Sequence, residues 1–290
     1  MWTIGSLSIR ESAVVGSLIL DFAIQLSALV IAASLRTDKF YDLLGSTNFI
    51  AAAIATLTYA HYYHARQIVV TVFVCCWALR LGSLLFYRVL KTGGDSRFKD
   101  IKDKPHKFFV AWFLQACWVF IVLLPVVILN GTQRNRGLWA SDIIGGIFFW
   151  VGWTCEATAD FQKLMFKRDP ANKGKFINVG LWAYARYPNY FGEILQWWGI
   201  WLMCIAALTG AYWVSVVSPL FTMLLTLGVS GVPMQEKQQA ERWGKDPAFQ
   251  AWKKSTHLLV PLPKIRNRKD REAMRNIQAE QEQSSQESEP

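Results

Sequence analysis

The sequence predicts an all-α fold, a polytopic bundle of membrane-spanning helices, and three observations point to it. Hydrophobic residues make up 52% of the 290 residues, and mean hydropathy is +0.19. The apolar residues gather in seven stretches close to the length of about 20 residues that crosses a hydrocarbon core. The segments between them are basic, with a formal net charge of +10. These features exclude a soluble cytosolic enzyme.

The predicted spans can be justified in order along the chain. The first has no basic amino-terminal region and contains Asp21 and Gln25, so we interpret it as a retained helix and not as a signal peptide. The second and the fifth are short, which leaves six or eight spans open as alternatives. The seven ranges are 12–35, 49–63, 68–90, 108–129, 143–159, 191–208 and 212–232.

Basic residues predict the orientation of the bundle. If the amino terminus lies outside, 25 of the 31 Lys and Arg fall in inside segments and only 4 in outside segments. Retention of positive charge in the cytoplasm produces this bias, which favours an odd number of spans and a cytoplasmic carboxyl terminus. We expect a multi-pass protein of the endoplasmic reticulum in a eukaryote, or of the inner membrane in a bacterium. Residues 1–266 form the predicted membrane domain, and the polar segment 267–290 is a predicted disordered tail.

Several classes of protein are excluded by missing motifs. The five Cys show no CxxC spacing and lie in apolar stretches, so neither a disulfide scaffold nor a zinc ribbon fits. Only four His are present, fewer than a di-iron desaturase needs. No P-loop or GxGxxG fingerprint occurs. We therefore expect no metal, no nucleic-acid partner and no soluble Rossmann domain.

Ionisable side chains inside predicted spans are the first functional candidates, because each is costly in lipid. For Asp21 and Arg80 we favour a structural role in holding helices together. For Asp160 and Glu193 we favour a functional role. Glu156 and Asp160 share a helix face that Lys163 and Lys167 continue toward the cytoplasm. The six residues are Asp21, Arg80, Arg88, Glu156, Asp160 and Glu193.

The segment 173–198 is the densest in polar residues. Pro188 predicts the first turn of a helix, where a missing N–H costs nothing. The free N–H groups of that turn, with Arg186, Lys173 and Lys175 nearby, predict an anion site suited to phosphate.

The same helix carries Asn189, Glu193 and Trp197 on one face. An amide, a carboxylate and an aromatic wall together predict a ligand site. The alternative is that the cations contact lipid headgroups while the tryptophans form an interfacial belt. That alternative does not explain why the carboxylate of Glu193 lies within a span, so we favour a functional site.

Several motifs resemble the steroid 5-alpha-reductase family, also described as 3-oxo-5-alpha-steroid 4-dehydrogenase, and in particular one large branch of it. The strongest are GLWAYARYPNYFGEILQWWGIWL at 180–202 and VSGVPMQEKQQAERWGKDPAFQAWKKST at 229–256, followed by LVPLP. Shorter ones are DFQK at 160–163, GGDSRF at 93–98 and TDKFYDLLG at 37–45. The resemblance covers most of the chain but does not specify a substrate.

The resemblance implies a membrane reductase of about seven helices that binds NADPH in a cytoplasm-facing region, here within 143–263. It implies a steroid-like or polyprenyl substrate held in the membrane. Asn189 and Glu193 would hold the nicotinamide end of the cofactor. The chain departs from the family pattern at Tyr187, where His is common, and at Trp243 and Phe249, where Tyr is common. The implied cofactor residues are Asp160, Lys163, Lys167, Trp182, Tyr184, Arg186, Asn189, Tyr190, Glu193, Lys237, Arg242 and Asp246.

Hydride transfer to an enone also needs a donor for the carbonyl oxygen, where negative charge grows. In the steroid enzymes a Tyr on the third helix and a Glu on the second fill this role. That Glu has no match in this chain, and the third span offers Tyr87. Asp42 with Tyr41 is an alternative pair, and Tyr59 is a further alternative.

Two other classes of function stay open. Membrane methyltransferases of isoprenylcysteine or phospholipids carry an Arg-His-Pro-x-Tyr-x-Gly element that binds S-adenosylmethionine, and residues 186–192 are close to it. The immediate Glu193 and the long GKDPAFQAW segment at 244–252 favour the reductase, whereas Tyr187 departs from the His of both patterns. A non-catalytic sterol- or lipid-binding membrane protein is the third interpretation, but it gives no reason for the costly polar residues.

Overall fold

The protein is described by a computed structural model at residues 6–94, 96–98, 101, 103–134 and 137–263. Within those ranges its regular structure is helical, without strands, as predicted. The predicted disordered tail, 267–290, lies outside the described residues. The helices are α1 Ile9–Ser34, α2 Tyr41–Ala60, α3 Ala65–Thr92, α4 Pro105–Asn130, α5 Ala140–Arg168, α6 Pro188–Cys204, α7 Val217–Leu224, α8 Val232–Trp243 and α9 Pro247–Ser255.

In the described part of the chain, five helical segments are long and apolar enough to cross a membrane, which fits an integral membrane protein. Four of them are α1 to α4, and the fifth is the continuous run Gly210–Trp243, in which a π-helical turn joins α7 to α8. The two remaining predicted spans fall on α5 and α6. The first carries charged side chains in its second half, and the second has only 17 residues. A count of seven spans therefore stays a prediction.

Several helix boundaries follow from the local sequence. A capping box starts α1, in which the Ser8 hydroxyl accepts from the Glu11 N–H while the Glu11 carboxylate accepts from the Ser8 N–H. Pro188 starts α6, as predicted, because its missing N–H is one that the first turn leaves unbonded. At the end of α3, Gly93 takes a φ of 78°, a left-handed conformation that favours glycine.

An aromatic core joins α2, α3, α4 and α6. The Phe49 ring centroid lies 5.0 Å from that of Trp77, 4.9 Å from that of Trp118 and 5.8 Å from that of Trp197. Phe49, Trp77 and Trp197 are fully buried, and such aromatic pairs add stabilisation beyond the area that they bury. This core holds α6 against the first four helices.

Two pairs of glycines bring α5 and α6 into backbone contact. A Cβ added at Gly192 would lie 2.7 Å from the Glu156 nitrogen, and one added at Gly199 would lie 2.7 Å from the Phe149 nitrogen. The opposing glycines are Gly152 and Gly145, so the two helices run antiparallel. Small residues at helix interfaces allow such close approach. The second half of α5 thus faces the first half of α6. We call the end of the bundle where α3 and α5 finish and α6 begins the basic end.

Candidate functional site

Charged and amide side chains meet where α3, α5 and α6 come together. Arg80 Nη1 lies 2.7 Å from Asp160 Oδ2, and the same guanidinium forms an ion pair with Glu156. Asn189 Nδ2 donates to Asp160 Oδ1 at 3.3 Å, and Gln196 Nε2 donates to Glu156. Only 15% of the Arg80 side chain is exposed, so these interactions are largely shielded from solvent.

Glu193 completes this group, and we call the six residues the polar cluster. It lies one turn after Asn189 and makes no hydrogen bond or ion pair with the residues that the structure describes. The cluster therefore holds three carboxylates against one guanidinium. Its buried polar atoms without a partner are Arg80 Nε, Asn189 Oδ1 and Gln196 Oε1. Unsatisfied buried groups cost about 1–3 kcal/mol each, so their presence suits a place where a ligand binds.

Four cationic side chains gather at the basic end, namely Arg88, Lys163, Lys167 and Arg242. Lys167 is within electrostatic range of Arg88 and Arg242, and Lys163 is within range of Arg88. Lys163 Nζ also lies 4.7 Å from the centre of the Trp182 ring. None of the four forms an ion pair within the described ranges. The Asp160 carboxylate lies within electrostatic range of Lys163 and Arg88 but is already paired with Arg80. The four cations therefore leave a net positive charge, which favours a polyanion such as phosphate.

The two groups follow one another along α5, with Lys163 of the basic end three residues after Asp160 of the polar cluster. Lys167 follows Glu156 by eleven residues on that helix, which is about 16 Å at the rise of an α-helix. The site thus has a basic end and, deeper in the bundle, an end with amide and carboxylate groups.

Glu236 of α8 binds the residues that directly precede α6. Its carboxylate accepts from Arg186 Nη1 at 2.8 Å and from the Tyr187 hydroxyl at 3.0 Å, and it also pairs with Lys253 of α9. Burial and the Glu236 carboxylate raise the pKa of the Tyr187 phenol above its ordinary value. The phenol is therefore neutral and donates. Arg186, a predicted phosphate ligand, is held by this carboxylate.

Backbone and indole hydrogen bonds fix the same segment. The Arg186 N–H donates to the His257 carbonyl at 2.9 Å. Trp252 Nε1 donates to the Trp182 carbonyl at 2.8 Å, and Trp182 Nε1 donates to the Ala159 carbonyl at 2.9 Å. The predicted cofactor residue Trp182 thus ties the segment before α6 to both α5 and α9.

The other predicted cofactor residues lie around this scaffold. Tyr190 stacks on Tyr187 with ring centroids 5.5 Å apart. Tyr184 and Lys237 are exposed. Asp246 caps α9, accepting at 2.8 Å from a backbone N–H in its first turn. The structure therefore does not bring these last three residues into the polar cluster.

Two of the predicted catalytic residues form a separate group at the start of α2. Both Asp42 oxygens accept from Arg97 Nη2, at 2.8 and 2.6 Å. The Tyr41 hydroxyl donates to a backbone carbonyl of α4 at 2.9 Å, and its ring packs against Phe98 and Trp112. Tyr41 packs against a buried cluster of α1 and α4 residues, and these contacts of the pair involve none of the residues of the polar cluster.

The other two donor candidates differ in position. Tyr87 lies on α3, two turns after Arg80, and is half-buried, with Lys91 Nζ 5.9 Å from its ring centre. Tyr59 packs against the core of the bundle. Tyr87 is therefore the candidate that shares a helix with the polar cluster.

Four residues of the site were not among the predicted cofactor and catalytic residues. Arg80, Arg88 and Glu156 stand out in the sequence as ionisable residues within spans, but nothing local shows which groups they face. Gln196 follows Glu193 by three residues and Asn189 by seven, a spacing that places all three on one helix face. That spacing is the sequence feature that could have predicted Gln196 as a residue of the site.

Comparison with known proteins places the chain in a family. A segment of 46 residues is 41% identical to the protein named "Probable O-methyltransferase ustE" from Ustilaginoidea virens, and it covers 16% of this chain and 16% of that protein. No solved structure matches the chain. A family model described as "Protein of unknown function (DUF1295)" matches residues 28–256, from within α1 to the end of α9. Because this match covers most of its length, the chain belongs to the DUF1295 family.

Proposed function

We propose that the protein is a membrane-embedded, NADPH-dependent reductase. Its reaction is the reduction of a C=C bond conjugated to a carbonyl in a lipid-like substrate of the steroid or polyprenyl type. The observation that carries the proposal is the arrangement along α5. Four cations that form no ion pair within the described ranges lie at the basic end, and Glu156, at the far side of the polar cluster, lies about 16 Å from Lys167 along the helix. Beside Glu156 on α6, Glu193 and the amide oxygens of Asn189 and Gln196 have no partner among the described residues. NADPH has phosphates and an amide-bearing ring at separate places along its length.

The basic end would hold the phosphates. Lys163 and Lys167 project from the last turns of α5, while Arg88 and Arg242 approach from α3 and α8. Phosphate oxygens form strong charge-assisted hydrogen bonds with such groups, and a 2′-phosphate requires Arg or Lys where NADH would require an acid. A ligand with a single carboxylate would not need four cations to bind it.

The polar cluster would hold the nicotinamide end. The Glu193 carboxylate has no partner in the described part of the chain, so it is available to accept from the carboxamide N–H groups. Asn189 Oδ1 is a second buried acceptor without a partner. Arg80 lowers the repulsion among the carboxylates, which allows them to stay close together. When bound there, NADPH supplies the hydride.

The aromatic core adjoins the polar cluster and would face the substrate. Trp77 precedes Arg80 by three residues on α3, and Trp197 follows Glu193 by four on α6. Their ring centroids lie 4.9 Å apart, and both indole N–H groups are buried without partners. Tyr87, the predicted proton donor, follows Trp77 by ten residues on the same helix, about 15 Å along its axis, and lies beside Arg88 of the basic end. Its role as donor therefore requires the substrate carbonyl to lie toward the basic end.

A methyltransferase is the second candidate, favoured by the similarity to the protein from Ustilaginoidea virens. S-adenosylmethionine carries one carboxylate and no phosphate. That cofactor would use the acidic polar cluster, whose carboxylates suit its sulfonium, but it would leave most of the basic end unexplained. We therefore prefer the reductase.

Cofactor titration distinguishes the two candidates. Purified protein in detergent is titrated with NADPH and, separately, with S-adenosylmethionine, while quenching of the fluorescence of its 14 Trp is followed. The proposal predicts saturable quenching by NADPH that is weaker in Glu193→Gln at unchanged melting temperature. Binding of S-adenosylmethionine alone would replace the reductase with the methyltransferase. Unchanged NADPH affinity in Glu193→Gln would refute the role of this carboxylate.

A further inference from the structure

A second group of polar side chains is buried between α1 and α2, apart from the polar cluster. Asp21 is 1% exposed, and Gln25 and Asn48 are 0% exposed. Asp21 and Gln25 are four residues apart, so both lie on the buried face of α1. We call these three residues the α1–α2 polar group.

Most of the hydrogen-bonding capacity of this group is unused. Asn48 Nδ2 donates to Asp21 Oδ1 and, at 3.3 Å, to the Asp21 carbonyl. Four atoms have no partner among the residues that the structure describes, namely Asp21 Oδ2, Asn48 Oδ1 and both polar atoms of Gln25. Asp21 also forms no ion pair within the described ranges, whereas Arg80 is occupied by two other carboxylates. A buried carboxylate that lacks a cation, beside a fully unpartnered amide, is a costly arrangement that packing alone does not explain.

The group lies deep in the apolar part of the bundle. Asp21 precedes the end of α1 by thirteen residues, about 20 Å along the axis, and Asn48 follows the start of α2 by seven, about 10 Å. The outer face of α1 presents Leu18, Ile19 and Leu26 to its surroundings. A group that reaches the α1–α2 polar group therefore arrives from the bilayer as part of a lipid.

The unpartnered atoms define the chemistry of that group. One is an amide donor, on Gln25, and the others are oxygen acceptors, one of them on a carboxylate. An ammonium has donors alone: it would serve the three acceptors but leave the Gln25 N–H groups unsatisfied, and burial of its charge at this depth is costly. A ketone has acceptors alone and would leave the Asp21 carboxylate unsatisfied. A hydroxyl both donates and accepts, so one small uncharged group satisfies Asp21 Oδ2 and one Gln25 N–H, and it leaves Gln25 Oε1 and Asn48 Oδ1 as they are.

We propose that the α1–α2 polar group binds the hydroxyl of a lipid alcohol. The hydroxyl donates to Asp21 Oδ2 and accepts from Gln25 Nε2. Because these side chains are 0–1% exposed, binding requires α1 and α2 to separate locally as the lipid enters. This site is distinct from the polar cluster and does not rest on the proposed reductase activity.

Photolabelling in lipid nanodiscs tests the proposal. The full chain is incubated with a cholesterol analogue that carries a diazirine in its tail, and labelled peptides are located by mass spectrometry. Competitors are cholesterol, geranylgeraniol and the methyl ethers of both, which lack the hydroxyl hydrogen. We expect labelling of α1 or α2 that at least one free alcohol displaces and its ether does not. The alcohol that competes identifies the lipid as a sterol or a polyisoprenol.

Gln25→Met is the decisive variant, because it keeps the length of the side chain and removes only unpartnered atoms. Labelling should fall about tenfold, the effect of one lost hydrogen bond. The lipid-free variant should melt no lower than wild type, since no internal bond is lost. Ser27→Met, on the exposed side of α1, should label as wild type. If NADPH binds the wild-type protein, Gln25→Met should bind it with the same affinity. That result separates this site from the cofactor proposal.

Three results would overturn the proposal. Equal competition by alcohols and ethers would show an apolar groove only. Unchanged labelling of Gln25→Met would show that the amide is not involved. Absence of specific labelling in wild type, or of competition by either alcohol, would show that the α1–α2 polar group is satisfied by water.

Discussion

Arg80 on α3 lies 2.7 Å from Asp160 on α5, and this contact joins α3 to the α5–α6 pair. The same guanidinium pairs with Glu156, so one cation balances two carboxylates. Because all three groups are largely buried, each depends on the others for its charge to be tolerated. The arrangement sets the relative position of α3 and the candidate cofactor site.

Removal of this cation should therefore destabilise the protein. Arg80→Met leaves two buried carboxylates without their partner, and breaking such a pair costs about 3–5 kcal/mol. Thermal melting in detergent should show a large drop for Arg80→Met. The double variant Arg80→Met with Glu156→Gln should lose less than the sum of the single variants. Strictly additive losses would contradict the assigned pairing.

The glycine contacts predict opposite effects at two positions. In Gly192→Ala the new Cβ meets the backbone of α5, at 2.7 Å from the Glu156 nitrogen, and such overpacking costs about 1–3 kcal/mol. Gly146→Ala is the matched control, because nothing lies within 4 Å of its added Cβ. Alanine there should raise helix stability by about 0.5–1 kcal/mol. Melting curves measure both, and equal effects would show that α5 and α6 are not in backbone contact.

Charge removal at the basic end should weaken NADPH binding selectively. Lys167→Gln should lower NADPH affinity about tenfold, the effect of one charge-assisted hydrogen bond to phosphate. Lys254→Gln, an exposed position on α9, is the control and should bind as wild type. Fluorescence titration at low and at high salt measures the effect. An equal loss in both variants would indicate a diffuse surface attraction in place of a site.

The contacts of Glu236 should stabilise the segment that precedes α6. Tyr187→Phe removes one hydrogen bond to a carboxylate and should cost about 1.5–3 kcal/mol. Glu236→Gln should also lower the melting temperature, because it leaves both Arg186 and Lys253 without their anion. Limited proteolysis between α5 and α6 should become faster in both variants. Wild-type stability in both would show that α8 does not hold this segment.

The sequence allowed correct prediction of features that depend on local spacing. The all-helical fold, the start of α6 at Pro188 and the shared face of Asn189 and Glu193 follow from periodicity and from the chemistry of proline. The span count was harder to predict, because α5 combines apolar residues with the charges of the site.

Contacts between distant segments could not be predicted. Arg186 is held by Glu236, fifty residues later, and Asp42 is held by Arg97, fifty-five residues later. Nothing near either residue in the sequence indicates its partner. The role of Gly152 in helix contact is likewise visible only once α6 is packed against α5.

The most direct test of the cofactor proposal is a density map of the protein determined with NADPH present. We predict density that begins beside Lys167 and Arg242 and ends with a ring beside Asn189 and Glu193. A well-ordered bundle with no nucleotide density from Lys167 to Glu193 at saturating NADPH, or with nucleotide bound elsewhere, would contradict the account.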